Sequence, residues 1–241
     1  MIEQLPDSDG RIREDLAPAL EVIEVTKRYP RRSQDVCALA GVSLELWPGE
    51  LVMLVGASGS GKTTLLSIAA GLDTPTTGEV RLGGRSIHDR SSRERRRYRR
   101  RGLGLVFQEA SLIATLTAVE NVSLPLELLG MPEAQALDAA ASRLGGLGLA
   151  AHLDRFPDEL SGGEAQRVAV ARAVMGDRKV LLGDEPTASL DRRNGIEVIN
   201  AIATMCAAGS AAIVATHDQD MARVAHRVVR IRDGKLCEDA G

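Results

Sequence analysis

The sequence is poor in aromatic residues, in cysteine pairs and in long apolar runs. Aromatic side chains make up 2% of its 241 residues, so the core must be built mainly from Leu, Val, Ile and Ala. Its three cysteines, Cys37, Cys206 and Cys237, are far apart, which excludes a disulfide framework and indicates free thiols in a reducing compartment. No run approaches the roughly 18 apolar residues of a membrane-spanning helix. These absences predict a cytosolic chain, which a membrane protein could still recruit.

The chain also lacks an excess of either charge and a targeting segment. Its 30 Lys and Arg against 33 Asp and Glu leave a net charge of -3, so no general nucleic-acid binding is expected. The start, MIEQLPDSDGRIRED, has no apolar run and is unlike a signal peptide. Residues 1–19 are polar and show no clear period, which predicts a flexible extension. Residues 20–241 are long enough for one domain with one sizeable core.

Strand and helix patterns alternate from Leu20 onwards. Residues 20–29 and 42–47 alternate apolar and polar side chains, as half-buried strands do. Continuous apolar runs, typical of strands covered on both faces, occur at 51–56, 102–107, 180–183 and 211–216. Further strands are predicted at 78–84 and 228–236, and helices at about 61–70, at 161–176, from about 192 and from Asp218. The alternation predicts a parallel α/β core.

The middle of the chain has a different character. Between 117 and about 155, Leu and Ala recur at helical spacing, with breaks at 130–132 and 145–146. We predict a mostly helical lobe, at about 110–160, inserted between strands. Its apolar residues exceed what one short helix face requires, so either some line a groove for a helix of a partner or all belong to the lobe core. They are Leu112, Ile113, Leu116, Val119, Val122, Leu126 and Leu129.

Residues 56–63 carry the first chemical motif. They fit GxxxxGK[ST] at every fixed position and lie between a buried strand and a helix. Glycines let the backbone wrap closely, so successive N–H groups and a helix N-terminus form a site for a triphosphate. Lys62 is predicted to reach the β- and γ-phosphates, and the Thr63 hydroxyl to ligate Mg²⁺. The predicted nucleotide-binding residues are Gly56, Ala57, Ser58, Gly59, Ser60, Gly61, Lys62, Thr63 and Thr64.

Two carboxylates, Asp184 and Glu185, directly follow the apolar run 180–183. Ligands bind at the carboxyl ends of strands in such sheets. Asp184 suits a Mg²⁺ role, directly or through water, and Glu185 is placed to orient and deprotonate an attacking water. The alternative is an acidic turn ahead of Pro186, which the presence of the phosphate loop disfavours.

The segment LSGGEAQR (160–167) precedes another apolar helical stretch. Ser161 and Glu164 have the spacing of a capping box. Gly162 and Gly163 are poor helix formers, at about 1 kcal/mol each relative to Ala, and they make sense if the backbone must approach something closely. A glycine-rich helix start with a serine hydroxyl is an anion site. One chain is therefore predicted to carry two phosphate-binding helix starts.

LSGGEAQR resembles the signature sequence of ABC ATPases, and the other motifs follow that family's order from about Leu20 to the C-terminus. Gln108 resembles the Q-loop glutamine and His217 the switch histidine. Residues 189–191 resemble the D-loop, and Tyr29 resembles the aromatic residue that stacks on adenine. The resemblance implies catalysis by Glu185, His217 and Gln108, metal binding by Thr63, Gln108 and Asp184, and nucleotide binding also by Tyr29, Ser161, Gly162, Gly163, Glu164 and Asp191.

The same resemblance implies a fold, cofactors and a partner. The fold is a phosphate-loop, RecA-like α/β core with a mostly parallel sheet, an antiparallel β subdomain and an inserted α-helical subdomain. The cofactors are ATP and Mg²⁺. In this family the signature of one cassette contacts the γ-phosphate of ATP on the opposite cassette. A chain with one copy of each motif is therefore expected to act as a homodimer or beside a second cassette.

Three stretches, 55–80, 112–130 and 159–174, are more specifically similar to cassettes of the lipoprotein-release, macrolide-export and cell-division group. That likeness implies an integral membrane permease with few transmembrane helices as partner. It also implies a peripheral location on the cytoplasmic face of the inner membrane, and transmission of motion to the permease. The chain departs from the group at Gly183, where Ala usually precedes the Asp, and at Ala188 and Ser189, where Gly-Asn usually precedes Leu-Asp.

The run RERRRYRRR (93–101) is the most unusual local feature of the sequence. It fits a solvated helix, a contact with anionic lipid headgroups or a contact with nucleic acid. The last of these supports an alternative function, a non-transport ABC ATPase acting on nucleic acid or ribosomes. Heptads and cysteine pairs, which would favour that class, are missing between the phosphate loop and the signature. A structural role without turnover is disfavoured because every hydrolytic position is occupied.

Overall fold

A computed structural model describes residues 17–30, 35–89, 91–176, 178–217 and 223–237. Most of the predicted N-terminal extension and the start of the helix predicted from Asp218 lie outside the described residues. The described chain forms two sheets and six α-helices, whose elements are numbered in chain order.

The first sheet is antiparallel and has the order β2-β1-β4-β5. Along β1, Leu20 pairs with Leu46 on one side and with Leu82 on the other, so alternate side chains reach the core. The second strand begins before the predicted 42–47, because Val36 already pairs with Tyr29 across the hairpin. The strands are β1 (Leu20–Tyr29), β2 (Val36–Leu46), β4 (Thr77–Leu82) and β5 (Arg85–Ser86).

The second sheet is mostly parallel and has the order β10-β9-β3-β8-β7-β6. Its strands are β3 (Leu51–Val55), β6 (Leu103–Val106), β7 (Val180–Asp184), β8 (Ala211–Thr216), β9 (Arg227–Arg232) and β10 (Lys235–Cys237). Every residue of β3 and β8 is buried, as continuous apolar runs predict for strands covered on both faces. The antiparallel exception is β10, which pairs with β9.

The six helices surround this sheet and build the lobe. They are α1 (Lys62–Ala69), α2 (Ser92–Gly102), α3 (Ala118–Glu127), α4 (Glu133–Gly145), α5 (Gly162–Ala173) and α6 (Arg192–Ala207). One face of the parallel sheet packs on α1 and the antiparallel sheet, through residues such as Leu65 and Ile213. The other face packs on α5 and α6, through Val170 and Ile202. Successive residues of the buried strands thus serve opposite layers.

The helical lobe has a core of its own, to which α3, α4 and α5 contribute. Val122 and Leu126 are fully part of that core, and Leu112 and Val119 pack against it. Ile113, by contrast, is 40% exposed. Most of the apolar residues that the sequence offered for a groove therefore serve the lobe core. The predicted break at 130–132 lies between α3 and α4, and the one at 145–146 lies at the end of α4.

Candidate functional site

The predicted site residues come together at one edge of the parallel sheet. At the carboxyl ends of the strands, Val55 pairs with Thr216 and Asp184 with Ala215. The loops that follow β3, β7 and β8 are therefore neighbours, as expected for ligand sites in such sheets. They enclose a cavity of about 510 Å³. Its lining residues are Ala38, Ser58, Gly59, Gly61, Lys62, Thr63, Thr64, Gln108, Glu185, Ala188 and His217.

The phosphate loop needs glycine at two points where the backbone is crowded. Gly61 has φ of 113°, and a Cβ there would lie 2.7 Å from the Ala38 carbonyl oxygen. A Cβ at Gly56 would lie 2.4 Å from the Ile231 carbonyl oxygen. Helix α1 then begins without any side-chain cap. Its first-turn N–H groups are thus left for an anion, and the helix dipole favours one there.

Lys62 places a cation at the centre of this site. Its side chain is buried, at 7% exposure. The ammonium group donates to the carbonyl oxygens of Gly56 at 2.7 Å and Ala57 at 3.2 Å, and it lies 3.8 Å from Glu185 Oε1. A buried ammonium that is held by loop carbonyls is suited to meeting a further anion in the same cavity.

Glu185 lies between Lys62 and His217. Its φ of 51° is unusual for a residue with a side chain, and its N–H donates to the Ala215 carbonyl at 2.9 Å. Its Oε2 accepts a hydrogen bond from His217 Nδ1 at 2.9 Å, while the His217 side chain is 67% exposed. Left-handed backbone at a non-glycine residue is strained, and such strain often occurs at functional sites.

The residues predicted to bind Mg²⁺ fit that ion. Asp184 Oδ1 is buried and has no hydrogen-bond partner within the described residues. Thr63 and Gln108 supply a hydroxyl and an amide to the cavity. Among the described residues, no three His, Cys, Asp or Glu side chains form a metal cluster. One carboxylate with neutral oxygens is the donor set that Mg²⁺ uses when substrate phosphates and water complete its shell.

The signature segment forms a capped and exposed helix start, apart from this cavity. Glu164 N–H donates to Ser161 Oγ at 3.4 Å, and Ser161 N–H donates to Glu164 Oε2 at 2.8 Å, which confirms the predicted capping box. The hydrogen bond from Ser161 N–H is the main cause that lowers the pKa of Glu164. Residues 161–164 are not among those that line the cavity, and Ser161 and Gly162 are exposed.

The cavity and the exposed helix start carry the two motifs that were predicted to bind phosphate, and both belong to the pattern of a known family. The profile described as "ABC transporter" matches residues 39–188. The chain is an ATP-binding cassette of the ABC transporter family. As a member of this family, the cassette is an ABC ATPase.

Relatives of the cassette include larger proteins with a permease part. The macrolide export ATP-binding/permease protein MacB of Marinobacter nauticus is 41% identical over 224 residues, 93% of this chain and 35% of that protein. MacB of Nitrosomonas europaea is 41% identical over 227 residues, 94% of this chain and 34% of that protein. The cassette thus spans about a third of the length of these curated relatives.

Solved structures confirm the predicted fold. The dimeric ABC transporter cassette MJ0796 superposes with a TM-score of 0.82 at 35% identity, covering 91% of this chain and 97% of that one. The same cassette is known as a dimer in a post-hydrolysis state with ADP and Pi. CbiO1 from Clostridium perfringens, at 27% identity, superposes with a TM-score of 0.81 over 92% of this chain and 87% of that one. In the part of the present cassette that is described, no helix has the length and apolarity to cross a membrane.

The segment on either side of Gln108 contacts two residues of α5 whose role the sequence did not reveal. Gln166 of α5 is 2% exposed, and its amide donates to the Phe107 carbonyl at 2.7 Å. Arg172, one helical turn and a half further along, donates to the carbonyls of Ala110 and Ser111. The segment after β6 is thus attached to α5, the signature helix, which begins within the signature segment. The available signal was two polar residues on an otherwise apolar helix, Gln166 near the end of the signature and Arg172 in the apolar stretch after it.

Tyr29 and Asp191, which were predicted to bind the nucleotide, contact other residues of the same chain. Tyr29 OH donates to Asp73 Oδ2 at 2.8 Å, and the Lys27 ammonium lies 4.9 Å from the centre of its ring. Burial and the hydrogen bond to Asp73 raise the pKa of Tyr29. Tyr29 does not line the cavity. Asp191 caps α6 by accepting from the N–H of Asn194. The adenine role of Tyr29 and the nucleotide role of Asp191 stay predictions.

Proposed function

We propose that two copies of the cassette close around two ATP molecules, each lying between the phosphate loop of one copy and the signature helix of the other, and that this closure drives a membrane permease. One observation carries the proposal. The cavity gathers Lys62, Thr63, Gln108, Glu185 and His217, whereas the start of α5 presents Ser161 outside it. The dimeric cassettes of known structure support the pairing.

Within one copy, the phosphate loop and Lys62 hold the triphosphate. The N–H groups at the start of α1 and the Lys62 ammonium neutralise the β- and γ-phosphates. Thr63, Asp184 and Gln108 would hold a Mg²⁺ ion, whose charge would help to neutralise the negative charge that develops on the phosphates. These groups supply positioning and electrostatic stabilisation, which account for most catalysis of phosphoryl transfer.

Glu185 orients the attacking water and accepts its proton. Its Oε1 lies near Lys62 and its Oε2 near His217, so Oε2 becomes free to face a water near the γ-phosphate once His217 turns away. His217 is mostly exposed, and it exchanges its contact with Glu185 for one with the γ-phosphate. Glu185→Gln keeps the side-chain volume but removes the base, and we expect hydrolysis to fall about 10²-fold or more. ATP binding should persist, as a filter-binding assay would show.

Mixing two variants that damage different halves of the site tests the proposed pairing of two cassettes more directly. Lys62→Met damages the phosphate-loop half of a site, and Ser161→Arg damages the signature half. Each variant alone should be inactive. In a mixed dimer one site contains both lesions and the other contains neither, so random mixing should restore about a quarter of the wild-type rate.

The matched control mixes Lys62→Met with Glu185→Gln. Both lesions lie in the same half of the site, so no dimer has an intact site and activity should stay absent. Full activity of Ser161→Arg alone, or no recovery in the first mixture, would contradict the pairing. Thermal unfolding of each variant checks that the lesions leave the fold intact.

The permease partner is proposed from the relatives and from the lobe surface. The matched relatives join an ATP-binding part to a permease in one protein. In this cassette the lobe exposes Ile113, Leu128 and Met131, apolar side chains that a helix of a permease could cover. The cassette would then act at the cytoplasmic face of the membrane, in export or transmission of motion. Affinity purification from detergent-treated membranes should recover an integral membrane protein. Recovery of ribosomal or nucleic-acid-binding proteins alone would overturn this part.

A further inference from the structure

Helix α2 concentrates charge of one sign. It contains seven arginines and one glutamate, a net +6, so within the chain's net -3 the other residues together carry -9. The glutamate, Glu94, is engaged at the helix start, where it accepts hydrogen bonds from the N–H and the hydroxyl of Ser91. The helix is therefore a cationic element on an otherwise acidic molecule.

Two of the arginines attach the helix to the rest of the fold. Arg95 donates to Thr74 Oγ1 at 3.3 Å, and Arg99 donates to the Gly71 carbonyl at 2.8 Å. Burial, together with the neighbouring Arg95 and Arg96, lowers the pKa of Arg99. These contacts fix which side of α2 faces inward.

The other five arginines lie on one outward side, which we call the arginine face. Their spacing of three and four residues places them on a single helix face, about 12 Å long at 1.5 Å per residue. All five are exposed, and they line a concavity of about 540 Å³. Within the described residues their side chains have no ion pair or hydrogen bond. They are Arg93, Arg96, Arg97, Arg100 and Arg101.

The helix itself gains little from this arrangement. Like charges three and four residues apart repel each other on a helix surface. Arg100 and Arg101 complement the helix dipole at the carboxyl end, but Arg93 in the first turn opposes it. A helix that only needed to be solvated would be more stable with mixed charges, so the face is better explained by an anionic partner.

We propose that the arginine face contacts the anionic headgroups of membrane lipids. The planar guanidinium group forms paired hydrogen bonds with phosphate oxygens, and clusters of this size on a helix are attracted to anionic leaflets. Arg85 and Lys179 share a neighbouring concavity with Arg101, which broadens the cationic area. A permease-driving cassette needs no lipid contact of its own, so this inference goes beyond the proposed function.

A membrane fits the face better than nucleic acid does. Nucleic-acid binding strengthens with the number of phosphates neutralised along the strand. The arginine face is only about 12 Å long, so a nucleic-acid strand that extends beyond it would meet the rest of a molecule that is acidic overall. A membrane surface, by contrast, can touch the cationic side of the molecule alone. Membership of the ABC transporter family also associates this chain with membrane transport.

The arginine face can be tested without disturbing the nucleotide site. The last turn of α2 leads into the amino end of β6, whereas Gln108 follows the carboxyl end of that strand and lines the cavity. Arginine substitutions should therefore leave ATP hydrolysis intact, and hydrolysis serves as the check on folding. Loss of lipid binding with normal hydrolysis separates a failure of this inference from a failure of the proposed function.

The experiment measures co-flotation of the full chain with vesicles of phosphatidylcholine alone or mixed equally with phosphatidylglycerol. We expect binding to the anionic vesicles only, and weaker binding as salt rises. Arg93→Gln/Arg97→Gln/Arg101→Gln should weaken the partition coefficient about a hundredfold, because each arginine near an anionic surface contributes about fivefold. The control Arg143→Gln/Arg193→Gln/Lys235→Gln removes the same charge elsewhere and should change binding less than about threefold.

Three results would overturn the proposal. Equal losses in the two triple variants would mean that binding follows net charge and not the arginine face. Release from vesicles by inorganic phosphate at constant ionic strength would make a small phosphate compound the ligand. Tighter binding of a labelled DNA duplex or single-stranded RNA than of anionic vesicles, lost in the Arg93→Gln/Arg97→Gln/Arg101→Gln variant, would assign the face to nucleic acid.

Discussion

Two helices of this cassette begin in glycine-rich segments, but side chains cap the first N–H groups of only one of them. Helix α1 follows Gly61, and no side chain caps it. Helix α5 follows Ser161, whose hydroxyl accepts from Glu164 N–H while the Glu164 carboxylate accepts from Ser161 N–H. The first helix start depends on a ligand or water for its hydrogen bonds, and the second is satisfied by its own side chains.

This difference matches the two environments. The start of α1 lies in the cavity, where Lys62 adds a positive charge. The start of α5 is exposed, so its capping box stabilises the helix whether or not a second cassette covers it. The Ser161 hydroxyl accepts in the capping box but keeps a hydrogen that it can donate to a phosphate. The capping box at the start of α5 is therefore compatible with the anion contact that we propose there.

The glycines of the two segments are also required for different reasons. Gly61 has φ of 113°, which is unfavourable for any residue with a Cβ. A Cβ at Gly163 would lie 2.4 Å from Asn194 Oδ1 in α6, whereas one at Gly162 would lie 3.3 Å from the end of the Leu190 side chain. Backbone conformation requires glycine at position 61, and packing against α6 requires it at position 163. Neither reason applies to Gly162, which in the proposed dimer would face the neighbouring copy.

The largest predicted effect is the difference in stability and in ATP binding between the variants Gly61→Ala and Gly162→Ala. Gly61→Ala combines left-handed strain with a clash against the Ala38 carbonyl, and we expect about 2–4 kcal/mol less free energy of unfolding and no detectable ATP binding. Gly162→Ala should change stability by less than about 1 kcal/mol and leave ATP binding by the monomer intact. Its effect should appear in ATP-dependent dimerisation.

Urea unfolding, titration with a fluorescent ATP analogue and size-exclusion chromatography measure these three quantities. If Gly162→Ala weakened ATP binding by the monomer as much as Gly61→Ala did, the two segments would belong to one site within one chain. The start of α5 would then contact ATP bound to its own chain and not ATP bound to a neighbouring chain.

A smaller effect should reveal the packing role of Gly163. Gly163→Ala forces Asn194 to move, and we expect a loss of about 1–3 kcal/mol in the free energy of unfolding. Asn194→Ala removes the obstructing amide, so the double variant should recover about 1 kcal/mol or more relative to the sum of the single changes. A double-mutant cycle in urea measures that coupling, and purely additive losses would contradict the contact.

The same cycle can be followed by ATP hydrolysis. If Gly163 serves only the packing against α6, the double variant should regain activity along with stability. Continued loss of activity in a stable double variant would show that the backbone at Gly163 must also approach the phosphate of the neighbouring copy.

Much of this molecule could be predicted from its sequence because its chemistry depends on local patterns. Residues 51–63 combine a buried strand, a glycine loop and a lysine in one continuous segment, so the pattern alone located both the strand and the loop. The capping box at Ser161 is equally local, since its partners are three residues apart. Where one short segment contains all of the determinants, the prediction and the structure agree.

Contacts between distant segments could not be predicted in this way. Gln166 contacts the Phe107 carbonyl across 59 positions of sequence, and Gly163 meets Asn194 only because α5 packs on α6. The first part of β2 was missed because pairing with β1 determines it. The lobe residues illustrate the converse, since apolar spacing alone did not distinguish the buried Val122 from the exposed Ile113.

The smallest effect concerns the charge in the capping box of α5. Because Ser161 N–H donates to the Glu164 carboxylate, the pKa of Glu164 is lowered in the folded state. Stability from this group is therefore fully present above the ordinary Glu pKa of about 4.3 and is lost as the pH falls through the lowered folded value.

Glu164→Gln keeps the box geometry without a titrating group. The wild type should be more stable at pH 7, by less than about 1 kcal/mol, and that advantage should shrink as the pH is lowered through 5 and 4. Urea unfolding across that range measures it, with Glu133→Gln in the first turn of α4 as a control that lacks a side-chain cap. An advantage that is the same at every pH would mean that the carboxylate acts through its shape and not its charge.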